Sequence, residues 1–416
     1  MMSNTNIDGH LAFFDPIKGT WLPLDMACYQ LMYPEKEDGS SEQVENNKSH
    51  IQNILSNALK TPNINFFAGS GTSLGEVGGP SMWDLWRKCM WISPECQKTE
   101  ADYGVLHKAA EQVLKTVNYS SEETNIEHFL SHCEAYLQFN ENASVSDYVR
   151  DVKETILFEC SNFILPDFSN ISAYKTLLQK LARRRVRDPR LNVFTTNYDM
   201  CFESAASSLG MMLIDGFSYT RKRYFNGKYF DYDVVSRNDD NHEFVEGVIK
   251  LHKLHGSVSW ERIDGNIVEN EDVEPDSASL IYPAKGKYQQ AFIQPYLELL
   301  SRFLDTLRKP NSCLLISGFG FNDDHLSEPI LSAITSNPSL KLIIADFSAK
   351  RHVENAGENG SSSYWGKFSE LASHGYDIHL LNCSFSGLVS LIPNLKALTP
   401  AESLAKAITL VGKGDF

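Results

Sequence analysis

Short apolar runs that stop abruptly at polar or glycine-rich residues recur along this chain. Ile64-Asn65-Phe66-Phe67-Ala68 runs into Gly69-Ser70-Gly71-Thr72-Ser73, and Asn192-Val193-Phe194-Thr195 into Thr196-Asn197-Tyr198-Asp199. Val248 to Leu254 runs into His255-Gly256-Ser257, and Cys313 to Ile316 into Ser317-Gly318-Phe319-Gly320. Leu342 to Asp346 and Ile378 to Leu381 have the same character. Near-continuous apolar runs are how strands buried on both faces read, so the pattern predicts a parallel sheet. Ligands of open α/β sheets bind beyond the carboxyl ends of the strands. The four polar tips therefore point to one shared site.

Between these runs the apolar period changes to that of helices. Ile51, Ile54, Leu55 and Leu59 predict a helix starting at Ser41, with Glu45 or a neighbour assisting its cap and Thr61-Pro62 ending it. Leu106, Ala109, Ala110, Val113 and Leu114 form one stripe, Ile126, Phe129 and Leu130 a second, and Val152, Ile156, Leu157 and Cys160 a third. No strand pattern interrupts them, which predicts a helical subdomain inserted into the sheet-forming part of the chain. Further helices are expected over Tyr174 to Arg185 and from about Pro295 to Leu307. Asn226-Gly227 and Asp264-Gly265 are hairpin signals. Gly75, Gly78, Gly79 and Pro80 suggest a long, flexible loop. Leu11 to Phe14 and Trp21 to Leu24 carry enough apolar surface to pack on the main body or on a neighbouring subunit.

The expected class is α/β, a mostly parallel sheet with flanking helices and an inserted helical subdomain. The divisions are residues 1–60 as an N-terminal extension and lead-in helix, 61–100 with 166–395 as the α/β domain, 101–165 as the helical insertion, and 396–416 as a C-terminal helix and tail.

Composition adds exclusions. A chain of 416 residues with a formal charge of −15 is no general nucleic-acid binder. The cluster Lys180, Arg183, Arg184, Arg185, Arg187 and Arg190 is the local exception, and a solvated helix end accounts for it. Leu280-Ile281-Tyr282-Pro283 leads to Lys285, Gly286 and Lys287 ahead of the helix expected from about Pro295. The cysteines at 28, 89, 96, 133, 160, 201, 313 and 383 show no CxxC spacing, so a zinc ribbon is not expected. With no secretory leader pattern and no membrane-length apolar run, a cytoplasmic protein with reduced thiols and no membrane association is expected.

The tips carry the candidate chemistry. Gly69 and Gly71 after a strand would let backbone amides approach a phosphate, although position 74 is Leu where a dinucleotide fingerprint has glycine; a plain tight turn is the alternative. Asn197 and Asp199 lie two apart on an extended tip and share a side. His252 and His255 alternate across their strand, which argues against a metal pair. His255 stands at the strand end as either a structural or a catalytic imidazole. Asp346 closes a buried strand, where an acid can hold ribose hydroxyls, cap a helix or simply be solvated.

With these motifs in order, the chain resembles the sirtuins. Gly69-Ser70-Gly71-Thr72-Ser73 resembles the GAGxS loop, Thr196-Asn197-Tyr198-Asp199 the QN-x-D motif, and His255-Gly256 the HG motif. Ser317-Gly318-Phe319-Gly320 lies where sirtuins carry the strand-loop that holds the ribose. The GxPDFR segment appears as Gly78-Gly79-Pro80-Ser81-Met82-Trp83, Thr196 replaces the motif glutamine, and the four zinc cysteines are missing. The pattern is similar instead to bacterial sirtuin-like NAD hydrolases of antiphage defence. This resemblance implies a Rossmann-like domain and NAD as substrate, with no metal. It implies Asn197, His255 and Asp199 as catalytic residues, with Asp199 on the nicotinamide carboxamide. Gly69, Ser70, Gly71, Thr72, Ser73 and Thr196 would hold the cofactor, and Gly318 and Asp346 its adenosine side. It also implies a homo-oligomer that assembles with a HerA-like DNA-translocase ATPase. A non-catalytic NAD or ADP-ribose-binding module and an NAD-dependent protein deacylase are the alternatives.

Overall fold

The computed structural model describes residues 6–35, 40–92, 105–182, 184, 188–238, 241–280, 294–358 and 363–394. Its strands are β1 (Ala12–Asp15), β2 (Thr20–Pro23), β3 (Asn63–Ala68), β4 (Leu191–Thr195), β5 (Met212–Ile214), β6 (Val235–Asn238), β7 (Asn241–Phe244), β8 (Val248–Lys253), β9 (Gly256–Ile263), β10 (Asn266–Glu269), β11 (Ala278–Leu280), β12 (Ser312–Ser317), β13 (Leu340–Asp346) and β14 (Ile378–Asn382). A nine-stranded sheet runs β2-β1-β14-β13-β12-β3-β4-β8-β5. From β14 to β5 every neighbouring pair is parallel. The class is α/β.

Period-two alternation in the central strands fills both faces. Phe67, Phe194, Leu314 and Ile316 face one core, against the helices Tyr296–Arg308, Asp324–Ser336 and Tyr364–Ser373. Phe66, Ala68, Val193 and Leu315 face the other, against Ser40–Ala58, Ser172–Leu181, Cys201–Ser208 and Phe385–Leu391. All six residues of β12 are buried, which is why its middle, Cys313 to Ile316, is a continuous apolar run.

The N-terminal apolar stretches belong to this sheet. β1 pairs antiparallel with β14, and β2 with β1, so Phe13, Phe14, Trp21 and Leu24 are buried in the main body. The helices Met82–Met90, Lys108–Val117, Ile126–Leu137 and Ala143–Ser161 form a third core, which reaches the sheet region through Val258 of β9. Met82–Met90 opens with a capping box of Ser81 and Asp84.

Three expectations change. The Gly75–Pro80 segment is pinned rather than free: Gly79 donates to Ser73 O at 2.8 Å and Asn170 Nδ2 to Val77 O at 2.5 Å. Asn226-Gly227 is not a hairpin turn. A type I′ turn needs positive φ at both central residues, and Asn226 sits at φ −154°, its side chain capping the 3-10 turn Gly227–Asp231. The hairpin in this region is β6–β7 instead. Asp264-Gly265 meets the same requirement, with φ 49° and 78°, and joins β9 to β10. The described members of the basic cluster do not form a solvated face. Lys180 donates to Val389 O and Ile392 O, Arg184 to Thr61 O and Pro62 O, and Arg190 pairs with Asp233.

Arg183, Arg185, Arg187, Cys96, Lys285, Gly286, Lys287 and the 396–416 segment lie outside the described residues. The other seven cysteines are buried and unpaired. No described helix is long and apolar enough to cross a membrane.

Candidate active site

Because β12, β3, β4 and β8 are consecutive parallel neighbours, their carboxyl ends share one edge of the sheet. The four polar tips meet there. Gly69 N donates to Ser317 O and Gly71 N to Gly318 O, each at 2.9 Å, so the tips of β3 and β12 are hydrogen-bonded backbone to backbone. A Cβ on Gly69 would lie 2.4 Å from Gly318 O, and one on Gly71 2.7 Å from Gly318 Cα. Gly318 has φ +62° and would meet Gly71 C at 2.6 Å. The direct reason for these glycines is the closeness of two loops. Thr72 N and Ser73 N donate to Gly69 O and Ser70 O. The amides of Gly69, Gly71 and Thr72, expected at a pyrophosphate, are thus committed to protein carbonyls, while Ser70 is exposed.

The β4 tip is fixed from below and from the side. Thr196 N and Thr195 Oγ1 both donate to Ala68 O, and Asn197 N donates to Thr195 Oγ1. Asn197 is 8% exposed. Its Nδ2 donates to Thr72 Oγ1 at 3.1 Å and to Ser73 Oγ at 3.0 Å. Both amide hydrogens are therefore in use, and Oδ1 is buried without a partner. A buried acceptor left unpaired costs about 1–3 kcal/mol, so its retention in a loop this well bonded marks where a donor from a ligand would sit. Tyr174, fully buried, donates from its hydroxyl to Thr72 Oγ1 at 2.9 Å and lies 2.8 Å from Ser73 Oγ. Ser73 Oγ donates to Asp199 Oδ2 at 2.6 Å, and Cys201 N to Asp199 Oδ1 at 3.0 Å. Asp199 thus orients Ser73, which in turn orients Asn197.

Lys253 completes the support. It is 3% exposed and donates to Asp199 O at 2.5 Å, Tyr198 O at 3.2 Å, Ser257 Oγ at 2.8 Å and Glu203 Oε1 at 2.8 Å. A buried lysine needs such a set of acceptors to stay charged. Burial pushes the Glu203 carboxyl up, and the Lys253 ammonium pulls it back.

Two histidines of β8 divide as their alternation requires. His252 is sandwiched between Phe194 and Phe230, at ring distances of 4.5 and 4.2 Å, and is a core residue. His255 is 2% exposed, and burial lowers it to about 4, so the ring is neutral near pH 7. Its Nε2 lies 3.3 Å from Nε2 of His325 on the helix Asp324–Ser336. Burial, and then His255, push His325 down, whereas Asp323 and Asp324 pull it up.

The helical body contributes one acid. Tyr198 OH donates to Glu127 Oε1 at 2.9 Å. Burial, and then Asp323, raise Glu127 to about 8, so it is protonated near neutrality. Burial raises Asp323 as well. Asp346 is one strand farther along the edge. Its Oδ1 accepts from Ser348 N at 2.8 Å, an Asx turn ahead of the helix Ala349–Glu358 rather than a helix N-cap, and lies 3.6 Å from His352 Nε2. Among the described residues no group of three His, Cys, Asp or Glu side chains is placed to hold a metal.

Sequence reasoning did not find Tyr174, Glu203, Lys253, Glu127, Asp323 and His325. Only Lys253 had a signal, a charge inside an otherwise buried strand.

A family model described as a SIR2-like domain matches residues 191–360. That span contains Asn197, Asp199, His255, Gly318, His325 and Asp346, and leaves out Gly69–Ser73 and Glu127. Among solved structures, the chain is similar to a mutant Sir2 homologue in complex with 2′-O-acetyl ADP ribose. Identity is 11%, the alignment covers 82% of this chain and 94% of that one, and the TM-score is 0.38. No curated protein matches the sequence.

Proposed function

We propose that this chain is a sirtuin-like NAD hydrolase that cleaves the nicotinamide–ribose bond, with water as acceptor and nicotinamide and ADP-ribose as products. The observation that carries this is the buried, unpartnered Oδ1 of Asn197, held at the sheet edge within the span that matches the SIR2-like domain. Its chemistry fits a ribosyl substrate. With Nδ2 occupied by Thr72 and Ser73, the side chain can only accept, and ribose hydroxyls and water are the donors to hand.

Departure of a pyridinium from ribose needs orientation, charge stabilisation and one admitted water. The nicotinamide leaves with the bonding electron pair, water supplies the new C–O bond, and one proton is released. His255, kept neutral by burial, is the acceptor for that proton. Asn197 Oδ1 holds the hydroxyl or the water. Asp199 acts through Ser73, and its free lone pairs remain for the nicotinamide carboxamide. Exposed Ser70 and half-buried Thr196 line the phosphate and ribose side, and half-buried Gly318 with Asp346 the adenosine side.

By the same resemblance, the biological role is NAD depletion in antiphage defence by a homo-oligomer gated through a HerA-like ATPase. Nicotinamide release from NAD by the purified chain, alone and with that ATPase, tests this beside Asn197→Ala and His255→Ala. Release abolished by both substitutions is the expected result. NAD binding without release under any condition would replace it with a non-catalytic NAD or ADP-ribose-binding module.

A further inference from the structure

We propose that His325 is the second member of a two-imidazole proton relay, taking from His255 the proton that His255 removes during bond cleavage. This rests on the hydrolase reading above.

The geometry comes first. The two Nε2 atoms are 3.3 Å apart, and the rings are inclined by 29° with centroids 5.4 Å apart. Two ring nitrogens at that distance bond only if one carries a hydrogen and the other a lone pair. His255 therefore does not work as an isolated imidazole.

Charge placement comes next. A base that is 2% exposed, with no carboxylate among the causes acting on it, is a poor place to leave a cation. His325 is less buried and stands beside Asp323 and exposed Asp324, both of which favour its charged form. The charged groups acting on His325 are Asp323 and Asp324 at the start of its helix; behind them stand Glu127 of the helical body, which Asp323 perturbs, and Tyr364, whose hydroxyl donates to Asp324 at 3.1 Å. Burial and His255 hold His325 down to about 4 as well, so what distinguishes it is position: it lies between His255 and the exposed Asp324 carboxylate, on the way from the buried ring to solvent.

The step balances. Nδ1 of His255 takes a proton from water or a ribose hydroxyl, and the proton on Nε2 of His255 passes to Nε2 of His325. His255 ends neutral and His325 ends as an imidazolium, which releases its proton to water on the Asp324 side. No electrons are transferred and no other reactant is needed.

The test separates the relay from simple orientation of His255. His325→Gln keeps an acceptor for the Nε2 hydrogen of His255 but cannot carry a proton, whereas His325→Ala removes both. The relay predicts that both variants lose at least about tenfold in kcat, in line with the scale of proton-transfer contributions, with KM within about threefold. It also predicts that the pH–kcat profile shifts in both. Wild-type rate and an unshifted profile in His325→Gln, with loss only in His325→Ala, would overturn it. A readout independent of turnover is the nitrogen-15 titration of histidine rings in the full chain. Coupled titration of His255 and His325, with His255 altered by His325→Gln, is expected; independent titration overturns the relay. If both His325 variants unfold, Asp324→Asn on the exposed side should still lower kcat by a few fold and shift the profile, and an unchanged profile counts against the relay. Absence of nicotinamide release by wild type would sink the hydrolase reading and the catalytic role of the pair together. Release by wild type with unaffected variants would sink the relay alone.

Discussion

Lys253 donates from Nζ to the main-chain carbonyl of Asp199 at 2.5 Å. One buried ammonium two residues before His255 therefore holds the loop that presents Asn197, and it does so while paired with Glu203. Removing one partner of a buried ion pair typically costs about 3–5 kcal/mol, because the other charge is left uncompensated. Lys253→Met is expected to destabilise the protein on that scale, and the double variant Lys253→Met/Glu203→Leu by clearly less. Urea unfolding of the single and double variants checks this. Equal destabilisation by both would show that Glu203 is not the partner that matters.

Asn197→Ala should separate activity from stability. It removes two hydrogen bonds to Thr72 and Ser73, but both hydroxyls keep other partners, and it also removes an unpaired buried acceptor. These contributions oppose each other at about 1 kcal/mol each. The expected outcome is a melting temperature within a few degrees of wild type, with nicotinamide release lowered at least about a hundredfold. A variant that unfolds would show that Asn197 is mainly structural.

The glycine contact between the β3 and β12 tips gives a graded series. Gly318→Ala combines a positive φ with a clash against Gly71, and Gly71→Ala has the clash without the positive φ. Gly75→Ala has φ +64° and nothing within 4 Å. Left-handed backbone costs about 1–2 kcal/mol for a residue with Cβ, and overpacking about 1–3 kcal/mol. The order of destabilisation should be Gly318→Ala greatest and Gly75→Ala confined to the backbone strain alone. Denaturant midpoints decide it, and a Gly75 variant as unstable as the Gly318 variant would contradict it.

Glu127 makes stability depend on pH in a defined direction. Its folded value of about 8 lies above the ordinary 4.5, so the unfolded chain gives up this proton at lower pH than the folded one. The stabilisation is fully present below about 4.5 and is lost as pH rises through about 8. Glu127→Gln removes that dependence. Relative to the variant, wild type should be weaker at pH 8.5 than at pH 5. His255 acts oppositely: lowered to about 4, it contributes stability above its ordinary value of 6.5 that is lost as pH falls toward 4. The comparison with Glu127→Gln at each pH isolates the carboxyl. Parallel pH profiles of wild type and variant would mean that Glu127 is not held protonated.

The sequence alone determined the strands and their tips. Buried parallel strands must be apolar on both faces, so β3, β4, β8, β12, β13 and β14 are legible as runs, and each ends where polar side chains reach the sheet edge. It also singled out candidate tips, since Asn197, Asp199 and His255 stand out as polar groups at strand ends. Tertiary structure alone decided the rest. Strand order set β12 beside β3, and that neighbour relation, invisible along the chain, makes Gly69, Gly71 and Gly318 obligatory through backbone contact. Local chemistry at Asn226 gave way to its side-chain cap, so a hairpin signal became a 3-10 turn. Glu127 and His325 carry no mark in the sequence, because an acid in a helix's first turn and a histidine after two aspartates are ordinary there. They become part of the site only because separate helices deliver them to the same edge. Which atom of Asn197 is left free was decided last, by Thr72 and Ser73, more than a hundred residues earlier in the chain.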